Sequence, residues 1–176
     1  MISIDRTFAI KLSVMIRSQL IDYQYYYPFC DAIIEKNDKT PYWIIELSMT
    51  KDPEIAGGIA LLYASLDACE EFDIHYKCNL YIACLYVKYV EGHLSWSSFL
   101  VKAGMYTDGM PYANENYDYF FNKLNVLEKN KHHTLLLEQQ KQEIFSIFEK
   151  EINKISTQLE FLKIYYKPYL SEHNET

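Results

Sequence analysis

The sequence predicts an all-α protein, a compact bundle of about seven or eight helices closed by a long C-terminal helix. Three observations lead to this. Apolar residues recur in steps of three and four along most of the chain. The stretches between them are short and carry Asp-Pro, Thr-Pro, Gly and Asn signals, which start and stop helices. The run HYKCNLYIACLYVKYVE at 75–91 is apolar on nearly every face, rich in Ala, Leu and Cys, and too long for an ordinary strand. A chain of 176 residues is long enough to bury a substantial core, and we read it as one domain, 1–176.

Residues 5–22 carry Phe8, Leu12, Met15 or Ile16, and Leu20 on one helical face, with Asp5 as the cap. The aromatic stretch YQYYYPF then interrupts, and Pro28 is expected to open a short second helix. Residues 35–39 read as a polar loop. Thr40 and Pro41 make an N-cap and first-turn pair for the next helix, and Asp52-Pro53 does the same for a helix carrying Ile55, Ile59, Leu62, Leu66 and Cys69. Gly57 and Gly58 lie inside that pattern. Each costs about 1 kcal/mol relative to Ala, which points to a close approach by a neighbouring backbone.

The 75–91 helix ends at Gly92. Ser95 caps another that carries Trp96, Phe99 and Leu100 and is expected to stop at Gly104. Residues 105–116 are irregular, and a helix resumes near Tyr117. From 134 to 167 a single long helix is expected, ended by Pro168. Its seam of Phe145, Phe148, Ile152, Ile155, Leu159, Leu162 and Tyr166 has heptad spacing.

Charge narrows the function. The chain has 17 basic and 24 acidic side chains, a net charge of −7, with a pI near 5.2. Residues 1–128 hold 17 acids and 10 bases, whereas 129–176 hold seven of each, so the acidity is N-terminal. An acidic chain lacks the basic footprint needed to grip phosphates, which argues against direct nucleic-acid binding, and it attracts basic partners. Arg6, Lys11 and Arg17 break the apolar run that a signal peptide would need, and no run is long enough to span a membrane. A cytoplasmic protein is expected, with Cys30, Cys69, Cys78 and Cys84 as reduced thiols and a monomeric or weakly dimeric state.

Familiar catalytic patterns are missing. The five histidines, His75, His93, His132, His133 and His173, show neither HExxH nor zinc-finger spacing, and AGGIA lacks the Lys-Ser/Thr of a phosphate loop. His75 and Cys78 sit one turn apart, a weak nucleophile arrangement. No cofactor and no metal are expected. DACEEFD places Asp67, Glu70 and Glu71 on one helical face with Asp73 close by, and like charges at this spacing oppose a helix unless a cation or a basic partner offsets them.

Between residues 105 and 120, Tyr106, Asp108, Tyr112, Glu115, Tyr117 and Asp118 alternate rings with carboxylates. Tyrosine gives large contact area at small entropy cost, and acids steer a basic partner. Together with Asp67, Glu70, Glu71 and Asp73, these six form a candidate partner-binding set of ten. By contrast, YQYYYPF has no interleaved charge, so we expect Tyr26 or Tyr27 to join Phe29 in the core.

The stretches EGHLSWSSFLVKAGMYTDG and PYANENYDY, set in a small acidic helical chain, resemble the immunity proteins of bacterial contact-dependent and polymorphic toxin systems. That resemblance implies a non-enzymatic inhibitor that binds a cognate basic toxin tightly, a nuclease such as an RNase being the expected class. The alternatives are a metal-dependent hydrolase using Asp67, Glu70, Glu71, His75 or His93, and a helical adaptor that dimerises through the 145–166 seam.

Overall fold

A computed structural model describes residues 4–65, 74–109 and 113–173, with side chains to residue 171. Among the described residues the fold is all-α: eight helices and no strand. They are α1 (Arg6–Arg17), α2 (Tyr23–Lys36), α3 (Tyr42–Ser48), α4 (Pro53–Ser65), α5 (Ile74–Val90), α6 (Trp96–Thr107), α7 (Tyr117–Lys129) and α8 (Thr134–His173). The chain divides into two compact units, Met1–Phe72 with Ile155–Thr176, and Asp73–Lys154. Helix α8 contributes its C-terminal half to the first unit and its N-terminal half to the second. No described helix is long and apolar enough to cross a membrane.

In the first unit, Asp5 caps α1 by accepting from the Phe8 amide at 2.9 Å. Asp52 caps α4 by accepting from the amides of Glu54 and Ile55, both at 2.9 Å. Helices α1 and α4 pack through a run of small side chains, with Ala56, Gly57, Ala60 and Ala64 buried. Ser13 donates to the Gly57 carbonyl at 2.7 Å. A Cβ on Gly57 would lie 2.6 Å from Arg17 Cγ. The glycine therefore makes room for a side chain crossing the helix, where a neighbouring backbone was expected.

Expectations about helix ends need correction at several places, beginning with α1, which stops at Arg17 instead of running to residue 22 because Ser18 closes it. Pro28 does not open a helix but lies inside α2, which starts at Tyr23 because Asp22 accepts from the Gln24 amide. An interior proline costs about 3 kcal/mol. Offsetting it, Tyr26 and Phe29 are buried, at about 1.5–3 kcal/mol each. The Tyr23 and Tyr26 hydroxyls also donate to the carbonyls of Ser48 and Thr50. Pro41 is the N-cap of α3 rather than its first residue, and the Thr40 hydroxyl turns back to the Asn37 carbonyl. Pro168 lies within α8, which continues to His173.

The aromatic stretch is chiefly structural. Phe29 packs with Phe8, Phe161 and Tyr165, and Tyr25 stacks on Tyr166 at 3.7 Å. Gln158 of α8, itself buried, donates to the Phe8 carbonyl at 3.1 Å.

In the second unit, α5 is buried along most of its length, from Cys78 to Val87 with only Tyr81 half-buried. Trp96, Phe99, Leu100 and Ala103 of α6 and Phe120, Leu124 and Leu127 of α7 are also buried. Gly104 does not end α6, which runs on to Thr107. A Cβ there would collide with the Phe121 ring, so this glycine lets α6 and α7 approach. Of the α8 seam, Phe148 and Ile152 are buried in this unit, and Ile155, Leu159 and Leu162 in the first. Cys30, Cys78 and Cys84 are buried cysteines.

Candidate partner-binding surface

Of the ten predicted site residues, Asp67, Glu70, Glu71, Asp73 and Tyr112 lie outside the described residues. The other five fall at the end of α6 and the start of α7, helices that pack against each other.

Helix α6 positions Tyr106 and Asp108. Ser95 starts the helix by accepting from the Ser98 amide. Tyr106 occupies its last turn, stacked on Tyr81 of α5 with 3.7 Å between ring centroids. Asp108, the C-cap, is exposed. The chain leading into α7 is pinned by a reciprocal pair: the Asn79 side chain donates to Asn114 Oδ1 and accepts from the Asn114 amide, each at 3.0 Å. Asn116 then caps α7 by accepting from the Tyr119 amide. In the first turn, Tyr117 is 39% exposed and stacks on Phe121 at 4.3 Å, and Asp118 is exposed. Because Phe121 in turn rests against Gly104, Tyr117 is supported through to α6.

Glu115 belongs to a second group that sequence reasoning missed. Tyr119 donates to Glu143 Oε1 at 3.0 Å, and Lys123 Nζ reaches Glu143 Oε2 at 2.6 Å while lying 4.7 Å from the Tyr119 ring centroid. The Lys123 bond holds the Glu143 carboxyl below its ordinary range, with Tyr119 adding to the effect. Partial burial and the Glu143 charge push Glu115 the other way, and Lys123 moderates the rise. Burial, reinforced by Glu143, raises the Tyr119 hydroxyl, which therefore stays a proton donor.

Gln140 holds this arrangement in place. Its Oε1 accepts from Trp96 Nε1 at 3.0 Å and its Nε2 donates to the Lys123 carbonyl at 2.8 Å, so one buried side chain ties α6, α7 and α8. Between α7 and α8 runs an open groove of about 320 Å³ lined by Tyr119, Asn122, Lys123, Val126, Leu136, Gln139, Gln140 and Glu143. The clue in the sequence was phase. Tyr119, Lys123 and Val126 fall on one face of α7, and Leu136, Gln140 and Glu143 on one face of α8.

Cys78 is buried, and desolvation raises its thiol while His75 is exposed, which leaves a poor nucleophile. Among the described residues no three His, Cys, Asp or Glu side chains are grouped to hold a metal. Comparisons with protein-family models, curated proteins and solved structures returned no match.

Proposed function

We propose that this chain is an immunity-type binding protein that neutralises a basic toxin, of the nuclease class, by holding it against the acidic, tyrosine-bearing surface where α6 meets α7. The observation that carries the reading is the support given to the part-exposed rings. Tyr106 rests on Tyr81 and Tyr117 on Phe121, with the exposed Asp108 and Asp118 and the half-buried Glu115 next to them along the chain. Rings already ordered lose little freedom on binding, so their contact area converts efficiently into affinity. The carboxylates add long-range attraction, and placed against a nuclease they occupy the positions of substrate phosphates.

The test is recovery of a partner from the source cells at low salt, followed by kinetics. A basic protein in one-to-one complex is expected, with its toxic activity suppressed on binding. Tyr117→Ala is expected to weaken the complex on the order of thirtyfold, the effect of losing a hot spot of about 2 kcal/mol. A partner that binds the Tyr117→Ala and Asp108→Asn/Glu115→Gln/Asp118→Asn variants as it binds the parent protein would overturn the reading.

A further inference from the structure

The groove between α7 and α8 has two chemically different ends. The helices run antiparallel, since Tyr119 and Lys123 face Glu143 whereas Val126 lines the groove with Leu136. Tyr119 to Val126 is two helical turns, about 10 Å. One end is therefore apolar, and Val126 is 44% exposed there. The other end has a phenol ring and the Glu143 carboxylate, with Glu115 near enough for the two charges to repel. Asn122 and Gln139 also line it. An apolar wall leading to a carboxylate beside an aromatic face matches a side chain with a hydrocarbon stem and a planar cationic head.

The protein already places a cation of its own there. Lys123 bonds Glu143 and covers the Tyr119 ring, and its side chain is only 16% exposed. The Glu115 carboxylate also feels that one ammonium, although only Glu143 bonds it. Each Glu143 oxygen takes one of these bonds, from Tyr119 or Lys123, and retains a second lone pair.

We propose that this groove is a recognition pocket for an arginine side chain of the basic partner, its stem against Val126 and Leu136 and its guanidinium on the Glu143 carboxylate and the Tyr119 ring. Guanidinium suits the site better than ammonium because its planar fork pairs with a carboxylate and stacks on a ring. The proposal rests on the partner-binding reading but concerns a groove that shares only Glu115 with the α6–α7 set.

The experiment uses the full chain and a defined probe, Nα-acetyl-arginine methylamide, with the citrulline analogue as the neutral control. Amide shifts are followed by NMR. The arginine probe is expected to shift residues around 119–126 and 136–143, and the citrulline probe to leave them in place. Glu143→Gln is expected to weaken the response roughly tenfold or more, the loss of one charge-assisted hydrogen bond. Lys123→Met removes the competing ammonium and is expected to strengthen it several-fold, an effect that a purely structural role for the lysine would not produce. Equal responses to both probes, or a weaker response in Lys123→Met, would overturn the pocket. Partner binding lost in Tyr117→Ala and Asp108→Asn/Asp118→Asn, which leave Glu115 in place, but unchanged in Glu143→Gln would refute the pocket alone. Binding unchanged in every variant would refute the wider reading as well.

Discussion

Replacing Gln140 by Leu tests how the second unit is held together. Gln140 and Trp96 are 3% and 4% exposed, and no solvent is at hand to replace the bond between them. Leucine nearly conserves volume but leaves the Trp96 Nε1–H without its acceptor in the core. An orphaned buried donor costs about 1–3 kcal/mol. Losing the bond to the Lys123 carbonyl adds less, because a helical carbonyl keeps its bond along the helix. We therefore expect about 2–3 kcal/mol of destabilisation, measured by urea unfolding with tryptophan fluorescence and far-UV circular dichroism followed together. In Trp96→Phe/Gln140→Leu the donor and acceptor are both gone, so the double variant should recover part of the loss, with coupling above about 1 kcal/mol. If Gln140→Leu unfolds within about 0.5 kcal/mol of the parent, or the two losses simply add, the account of this bond is wrong.

Other consequences can be measured directly. Gly104→Ala gains about 1 kcal/mol of helix propensity but meets the Phe121 ring, and overpacking costs about 1–3 kcal/mol, so thermal unfolding should show a net loss that Phe121→Leu relieves. Asp52→Ala removes the cap of α4 and should lower stability by about 1 kcal/mol in chemical denaturation. Carboxyl titration by ¹³C NMR should find Glu143 below and Glu115 above the ordinary glutamate range, with both moving upward in Lys123→Met. The depressed Glu143 value adds stability above the unfolded pKa, and that stability is lost as pH falls through the folded value; Glu115 acts with the opposite sign. The Cys30 thiol, pushed up to about 12 by burial, should resist alkylation at pH 8 until the chain unfolds.

Much of the helical plan was legible because apolar phase and capping chemistry are local. Asp5, Asp52, Ser95 and the turn at Gly92 were readable in this way, and each acts where expected. What misled was residue type read without tertiary context. Pro28, Pro168 and Gly104 are helix breakers by propensity, yet all three lie inside helices. For Pro28 and Gly104 the surrounding packing accounts for it: buried Tyr26 and Phe29 around the proline, and the Phe121 ring against the glycine. At the candidate surface, the alternation of tyrosine with acid singles out Tyr106, Asp108, Glu115, Tyr117 and Asp118 as candidates from the sequence alone. It could not locate Glu143, which lies 24 residues beyond Tyr119 and meets it only because α7 and α8 pack together. Asn79 was hidden for the same reason, as an ordinary polar residue in an apolar helix until Asn114 folds against it.

The most direct test of the central claim is the association rate with the recovered basic partner, measured by stopped flow across a range of ionic strength. The account predicts a rate that falls steeply with salt for the parent chain. For Asp108→Asn/Glu115→Gln/Asp118→Asn it predicts a rate roughly tenfold lower at low salt with a flattened dependence. The same rate and the same salt slope in both proteins would contradict it.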